Sequence, residues 1–200
     1  QNWKWLKISN AHVDLDTLAA QNKNNISDGT YYIASSLNNS YVLDVYGGSL
    51  SNFGNINVYH NNGTKAQAWK IVHDSKGYVT FINIGSGKAI DVYGGKSVNG
   101  QNVAQYTSNN SLAQKWIVTK ASSGFNIVSA LNPNYVLDLY GGRVSNFGNV
   151  QIYKSNNTKA QAWNFIKYES PHSQLDSMAK KYNADIQETT YVVQCYKNNN

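Results

Sequence analysis

Three aspartates, Asp44, Asp91 and Asp138, occupy the same place in a phrase that occurs three times, Asp-x-Tyr-Gly-Gly. They lie 47 residues apart both times (91 − 44 and 138 − 91). An ionised carboxylate only accepts hydrogen bonds, so each aspartate could bind donor groups of a ligand or of its own turn. Carboxylates related by a repeat should sit in separate sites, whereas the two carboxylates of a glycosidase lie within about 5–10 Å of each other. The spacing therefore predicts three binding sites and no catalytic pair, and we expect no enzyme.

A second phrase, Gln-x-Trp, keeps the same step. It stands at Gln67–Trp69, Gln114–Trp116 and Gln161–Trp163. Two different motifs at one period indicate a threefold internal repeat, with units of about 28–74, 75–121 and 122–168. The tryptophans are predicted to be buried in a common core, and the glutamines to tie turns by hydrogen bonds. The paired glycines are expected to form a tight turn with positive φ.

The elements that must position these residues are short strands. Polar turns interrupt each repeat about every 8–12 residues, which is typical of short antiparallel strands. Within a repeat we predict an opening strand, the aspartate strand, a strand that ends in tyrosine (Tyr59, Tyr106 or Tyr153) and the Gln-x-Trp strand. Four strands taken three times make twelve in an all-β fold. No long segment with a 3.6-residue period occurs in this region, which excludes a parallel α/β sheet.

Composition narrows the partners of the chain. Charged residues make up 14 % of it, and the net charge is +6. Residues 28–167 hold eleven Lys and Arg against five acids, three of which are the repeated aspartates. This charge favours anionic surfaces weakly, but Arg143 is the only arginine and no cluster predicts a nucleic-acid site. No apolar run reaches the ~18 residues of a membrane span. Cys195 cannot form an internal disulfide, and no residue set predicts a metal or cofactor site.

The two ends of the chain repeat each other at a shift of 160 residues. Twelve of the first forty residues are identical to their counterparts in the last forty, Leu15 and Leu175 among them. We therefore expect a piece of a tandem array. In this interpretation one complete unit spans residues 28–168. It is flanked by two linkers with short helices, at residues 10–27 and 169–188. The closing strand of a preceding unit lies at residues 1–9, and the opening strand of a following unit lies at residues 189–200. The stubs Trp3–Ile8 and Thr190–Tyr196 are predicted to be strands.

The threefold Gln-x-Trp motif, with an aspartate phrase before each copy, resembles the ricin B-type lectins, in the variety found as tandem copies in bacterial surface and cell-wall proteins. The match covers Asp28 to about Lys167. The resemblance implies a β-trefoil and a non-catalytic module that binds glycans, such as galactose-type sugars, mucin or cell-wall polysaccharide. It also implies a secreted or cell-surface location and a larger multidomain chain whose units act by avidity.

The family pattern also assigns residues to each site. In this family the aspartate accepts hydrogen bonds from two adjacent sugar hydroxyls, a polar residue follows 13 positions on, and an aromatic that stacks on the sugar follows 15 positions on. The matching positions are Asp138, Gln151 and Tyr153 in the third repeat, Asp44, Asn57 and Tyr59 in the first, and Asp91 and Tyr106 in the second. Because the second repeat has Ala104 at the polar position, the third repeat is expected to hold the most complete site.

Three features keep other interpretations open. The family often has Asn just before the motif Gln, where this chain has alanine, at positions Ala66, Ala113 and Ala160. The aspartates could instead accept hydrogen bonds from the N–H groups of their own turns. The domain would then be a structural spacer or a protein-docking repeat with decayed sugar sites. Phe53 and Phe147, in loops before the tyrosine strands, could face a sugar or pack under their loops.

Overall fold

The computed structural model of the chain describes residues 11–169, 175, 177–179 and 181. The chain divides into two units, Gln1–Tyr168 and Glu169–Asn200. The described part of the first unit holds one α-helix, α1 (Ala11–Asn22), and twelve strands. In the second unit, residues 175, 177–179 and 181 are helical, as the linker pattern predicts. The predicted strands Trp3–Ile8 and Thr190–Tyr196 lie outside the described residues.

Each repeat contributes four antiparallel strands, as predicted. The first repeat contains β1 (Gly29–Ser35), β2 (Asn38–Val45), β3 (Ile56–His60) and β4 (Ala68–His73). The second contains β5 (Val79–Asn83), β6 (Ala89–Val92), β7 (Gln101–Tyr106) and β8 (Trp116–Lys120). The third contains β9 (Phe125–Ser129), β10 (Tyr135–Leu139), β11 (Gly148–Lys154) and β12 (Trp163–Lys167).

Six of these strands close a barrel and the other six form three hairpins. Around the barrel, β1 pairs with β4 and β12, β5 pairs with β4 and β8, and β9 pairs with β8 and β12. The hairpins are β2–β3, β6–β7 and β10–β11, which carry the aspartates and the tyrosines. β11 also pairs with β3 and β7, so the hairpins meet around a pseudo-threefold axis. The predicted β-trefoil is confirmed.

The tryptophans of the Gln-x-Trp motif lie in the core of the barrel. Trp69, Trp116 and Trp163 are each 0 % exposed and pack in one cluster with residues such as Ile33 and Phe81. Each indole removes a large apolar surface from water, and apolar burial is the main favourable term in folding. The sequence prediction for these three residues is confirmed.

The paired glycines end each aspartate strand with a sharp turn. Gly47 and Gly48 have φ values of 61° and 62°, and the corresponding glycines of the other repeats also have positive φ. Side chains are disfavoured in this left-handed region, so glycine is the residue that fits. The turn brings the chain back across the face of the hairpin that carries the aspartate.

Three asparagines lock the repeats together at the axis. The side-chain amide of Asn55 donates to Asn149 at 2.9 Å, Asn149 donates to Asn102 at 3.0 Å, and Asn102 donates to Asn55 at 2.9 Å. Each residue therefore gives one hydrogen bond and receives one in a closed ring. Because each partner comes from a different repeat, the ring forms only when all three hairpins have docked.

We expect Asn102→Ala to lower the free energy of unfolding by about 1–2 kcal/mol, because it removes two hydrogen bonds and leaves a donor and an acceptor of the ring unpaired. Urea denaturation measures the loss. The control is Asn24→Ala at an exposed position, which should stay within about 0.5 kcal/mol of the unmodified protein. Equal midpoints for the two variants would show that the ring contributes nothing to stability.

The helix α1 covers a second apolar cluster of the trefoil. Leu15 and Ala19 are buried against a patch of the second and third repeats that includes Tyr78. The carboxylate of Asp16 accepts a hydrogen bond from the Tyr78 hydroxyl at 2.9 Å and from the Lys76 ammonium at 2.8 Å. Part of the segment that was predicted to be a linker is thus packed onto the trefoil.

Candidate functional site

The tryptophan of each repeat is bonded to the strand that carries the aspartate. The indole N–H of Trp69 donates to the carbonyl of Leu43, the residue before Asp44, at 3.1 Å. The corresponding bonds in the second and third repeats measure 3.4 Å and 3.1 Å and again end on the residue before the aspartate. This contact explains why the two motifs keep one period, since the core residue of one motif positions the carboxylate of the other.

The motif glutamine ties the same strand to the loop after the tyrosine. Gln114 donates to the carbonyl of Thr107 at 3.0 Å and accepts from the N–H of Asn109 at 2.9 Å. Its amide also donates to the Asp91 carboxylate at 2.9 Å. The glutamines of the other repeats make the same two backbone bonds. They therefore tie turns, as predicted, and Gln114 also contacts the aspartate directly.

Two of the three aspartates are buried and Asp91 is half-buried, and none of the three forms an ion pair among the described residues. Asp44 and Asp138 are 7 % and 6 % exposed. Burial raises the pKa of Asp44 to about 6, although a hydrogen bond from Gln67 acts in the opposite direction. Burial also raises the pKa of Asp91 and that of Asp138, again opposed by glutamine side chains. All three carboxylates are thus less stable in the charged form than an aspartate in water.

The carboxylates do not hold the turns beside them. Within the described residues, Asp44, Asp91 and Asp138 accept hydrogen bonds from glutamine side chains, and none of them accepts one from a backbone N–H. The alternative role that the sequence left open, in which they bind turn N–H groups next to the Gly-Gly pair, is therefore not what the structure shows.

The polar residue on the neighbouring strand differs among the repeats. In the third, Gln151 lies opposite Asp138 and donates to its carboxylate at 2.8 Å. In the first, Asn57 lies opposite Asp44 and is 1 % exposed, yet neither its amide nitrogen nor its amide oxygen has a hydrogen-bond partner in the protein. A buried amide without a partner is energetically costly, so this group needs a water molecule or a ligand.

The second repeat lacks this partner, as predicted. Ala104 lies opposite Asp91, and the neighbouring Gln105 points away from the carboxylate. The Gln105 amide instead donates to the carbonyls of Ser49 and Ser51 in the first repeat, at 2.7 and 2.9 Å. Strand alternation places it on the opposite face, where it supports the adjacent loop.

Two of the aspartates open onto separate clefts. Cleft 1, of about 390 Å³, is lined by Asp44, Gly47, Gly48, Tyr59, Asn62, Thr64, Ala66 and Phe147. Cleft 3, of about 450 Å³, is lined by Leu37, Asp138, Leu139, Tyr140, Gly141, Gly142, Gln151, Tyr153, Asn156, Thr158, Lys159 and Ala160. Both volumes fall in the lower half of the range of about 300–1,000 Å³ that is usual for small-molecule sites. The predicted aspartate and tyrosine share a cleft in each case.

Several lining residues were not predicted from the sequence. Asn62 and Thr64 line cleft 1, and Asn156 and Thr158 occupy the same places in cleft 3. The repeat period contains the signal that could have found them, because asparagine recurs at 62, 109 and 156, with steps of 47 residues (109 − 62 and 156 − 109). These polar groups lie beside the alanine that stands where the family often has asparagine.

Each of two sites also receives an aromatic ring from the preceding repeat around the axis. The ring of Phe147 lies 5.0 Å from that of Tyr59 and 5.4 Å from that of Tyr46. Phe53 has the same relation to Tyr106 and Tyr93, at 5.0 and 5.4 Å. Both phenylalanines are more than half exposed, so they do not pack under their loops.

Two other kinds of feature are missing from the described part of the chain. No group of three or more His, Cys, Asp or Glu residues could hold a metal ion there. Among the described helices, none has the length and apolar character needed to cross a membrane.

Comparison with known proteins shows which family this fold and its motifs resemble. Residues 65–153 match the family model of the ricin-type beta-trefoil lectin domain-like group. A designed threefold symmetric protein, ThreeFoil, is 28 % identical with a TM-score of 0.67, over 70 % of this chain and 99 % of that one. The Rhizoctonia solani agglutinin is 29 % identical with a TM-score of 0.66, over 71 % of this chain and 96 % of that one.

A third relative is a larger enzyme. An exo-β-1,3-galactanase from Clostridium thermocellum is 28 % identical with a TM-score of 0.66, over 70 % of this chain but only 30 % of that one. No curated protein sequence matches the chain. The family model, the twelve-stranded trefoil and the three linked motifs agree with the resemblance drawn from the sequence. The β-trefoil of this chain is therefore similar to the ricin-type β-trefoil lectin domain-like family, whose model matches residues 65–153.

Proposed function

We propose that this chain is a non-catalytic carbohydrate-binding module with up to three shallow sites. The observation that carries the proposal is the state of the aspartates, which are desolvated next to a tyrosine and are not used to hold their turns. A residue whose pKa is shifted by burial in a cleft is a candidate for function. The remaining question is which kind of ligand suits these three carboxylates.

Neutral hydroxyl donors suit these carboxylates. Two hydroxyls on adjacent carbons could both donate to one ionised carboxylate, and such charge-assisted hydrogen bonds are stronger than neutral ones. The ligand would replace the water that the carboxylate has lost on burial. Behind cleft 1, the buried amide of Asn57 lies opposite Asp44 on the neighbouring strand. A polyhydroxylated ligand would therefore suit the Asp44 carboxylate, which lines the cleft.

The tyrosines supply the apolar half of the site. Tyr59 and Tyr153 lie two residues beyond the polar partner on the same face of the strand, so ring and carboxylate line one cleft. A sugar ring has an apolar C–H face beside its hydroxyls, and an aromatic ring offers a matching surface. The site residues of this proposal are Asp138, Gln151, Tyr153, Asp44, Asn57, Tyr59, Asp91 and Tyr106.

The relatives and the surface of the sites support one class of glycan. We propose galactose-type sugars, presented on mucin or on cell-wall polysaccharide, because the similar chains include an agglutinin and a galactanase. The alanines at 66, 113 and 160 remove an amide contact, which makes each site shallower than the family pattern.

A shallow site alone should bind weakly, near a dissociation constant of about 1 mM, or roughly −4 kcal/mol. We propose that avidity across repeats and across tandem units compensates for this, since linked sites can gain ~10²–10⁴ without new contacts. The identities at a shift of 160 residues support a tandem chain. A secreted or surface protein is the setting that we propose for it.

The test is a glycan array with galactosides, mucin-type glycans and bacterial wall polymers. We expect the triple variant Asp44→Ala/Asp91→Ala/Asp138→Ala to lose at least about tenfold in signal, because each site loses its charged acceptor. Asp14→Ala, an exposed substitution on α1, is the control that should bind normally.

Two results would contradict the proposal. One is equal binding by the triple variant and the control, which would remove the aspartates from the site. The other is the absence of any signal from the unmodified protein, which would favour the spacer or protein-docking role. Thermal unfolding of each variant must show that it is folded.

A further inference from the structure

Phe53 and Phe147 adopt a backbone conformation that does not suit them. Their φ values are 67° and 68°, in the left-handed region. That region is unfavourable for a bulky side chain and is otherwise used in this chain mainly by glycine. Both rings are also exposed, at 58 % and 56 %. Burial of these rings therefore offsets little of the free-energy cost of the backbone strain.

The loop itself does not need the ring. Gly100 occupies the same place in the second repeat, with a φ of 79°. Its N–H donates to the carbonyl of Ile152 at 3.0 Å, just as the N–H of Phe53 donates to Gln105 at 2.8 Å and that of Phe147 to Val58 at 2.9 Å. An asparagine before each of the three residues caps the neighbouring strand in the same way. The chain thus builds one loop three times, twice with a strained aromatic residue.

Strain retained at an exposed position indicates a function for the residue. The rings of Phe147 and Tyr59 have centroids 5.0 Å apart, so they touch and form one continuous apolar wall beside Asp44. A wall of two contacting rings is wider than the single tyrosine of the family pattern. In the proposed function, Asp44 and Tyr59 bind one sugar. The ring of Phe147 lies beside that position in the same cleft, where a second sugar of the glycan could contact it.

We propose that Phe147 and Phe53, donated by the preceding repeat around the axis, stack the second sugar unit of a glycan in the first and second sites. The third site lacks this subsite because Gly100 replaces the ring. The three sites therefore differ in the length of glycan that they recognise, with the third limited to a terminal sugar. This inference rests on the proposed carbohydrate-binding function and deepens it.

The decisive variant is Phe147→Gly in a protein whose first site alone is active, Asp91→Ala/Asp138→Ala. Glycine relieves the strain at φ 68°, so the variant should fold at least as well as its parent. Binding is measured by NMR titration at millimolar concentrations with lactose and galactose, and with N,N′-diacetylchitobiose and N-acetylglucosamine. We expect affinity for a bound disaccharide to fall about 3- to 10-fold, and affinity for its monosaccharide to stay unchanged.

The matched gain-of-function variant is Gly100→Phe in a protein whose third site alone is active, Asp44→Ala/Asp91→Ala. A side chain has room there, because a Cβ on Gly100 meets nothing nearer than the Gln151 amide oxygen at 3.6 Å. The backbone is already in the conformation that Phe53 and Phe147 tolerate. We expect disaccharide affinity to rise about 3- to 10-fold, with no gain for the monosaccharide.

The outcomes separate this inference from the function on which it rests. Equal losses for monosaccharide and disaccharide in Phe147→Gly would place the ring on the first sugar and overturn the second-unit subsite. An unchanged disaccharide affinity in both variants would also overturn it, while leaving the sugar sites intact. If neither parent protein binds any of the four sugars, the subsite for these glycans is refuted. The array then decides whether the wider function fails with it.

Discussion

Trp69→Ala lowers the free energy of unfolding by about 3–5 kcal/mol, the range found for removing a large aromatic side chain from a core. The indole is 0 % exposed and packs in the central cluster, so its loss leaves a cavity that the surrounding strands cannot fill. The indole N–H bond to Leu43 is lost as well. The change is measured as a shift of the urea midpoint, with the same m-value used for the unmodified protein and the variant.

Trp69→Phe is the matched control for this substitution. It keeps an aromatic ring in the core but removes the donor to the Leu43 carbonyl, so its cost should be clearly smaller than that of alanine. Because Leu43 precedes Asp44, the phenylalanine variant should weaken binding at the first site while the protein remains folded. A loss below about 1 kcal/mol in Trp69→Ala would contradict the role of this residue as a core anchor.

Asp44→Asn gives opposite effects on stability and on binding. Folding moves the Asp44 carboxyl from its usual pKa of 3.8 to about 6, so near neutral pH the folded state carries a charge in an unfavourable place. The amide variant avoids that cost. We expect it to raise the free energy of unfolding at pH 7 by on the order of 1 kcal/mol. It should also abolish sugar binding at the first site, because the charged acceptor is gone.

The pH dependence of this effect has a defined sign. Between pH 3.8 and about 6 the folded state binds more protons at Asp44 than the unfolded state does, so this group destabilises the protein increasingly as pH rises through that window. The gain from Asp44→Asn should therefore disappear below pH 3.8 and be complete above pH 6. Binding at the first site should weaken as pH falls through about 6, because the carboxylate becomes protonated.

Asp74→Asn is a control of opposite sign. Burial acts to raise the pKa of Asp74, but hydrogen bonds from Lys115, Tyr78 and Lys76 hold it below its usual value. This aspartate stabilises the folded protein above its unfolded pKa, and the contribution is lost as pH falls through its folded pKa. Its replacement should cost stability at pH 7 and leave sugar binding unchanged. A gain from Asp44→Asn that does not vary with pH would refute the desolvation of Asp44.

The repeat period and the polar turns predicted a threefold all-β domain, and the family resemblance added the β-trefoil. Two motifs at one step of 47 residues imply three equivalent units, and the strand lengths follow from the spacing of polar turns. The burial of Trp69 and its counterparts, and the positive φ of the glycine pairs, could also be predicted, because both depend on residue type and local geometry. Asp44 was singled out by the repeat and Tyr59 by the family pattern, and the structure places both in one cleft.

Contacts between repeats could not be read from the sequence. The ring of Asn55, Asn102 and Asn149 joins residues that are far apart in the chain, and so does the placement of Phe147 beside Tyr59. These contacts depend on how the barrel closes and on the register between hairpins, which no local pattern encodes.

The sequence by itself determined the threefold all-β repeat, its core tryptophans and its candidate aspartates, because periodicity and residue chemistry are local properties. Only the tertiary structure decided that the aspartates are desolvated and do not accept hydrogen bonds from their own turns. It also decided that a phenylalanine of one repeat contacts the site of the next. Burial and contact arise when the three units close around their axis.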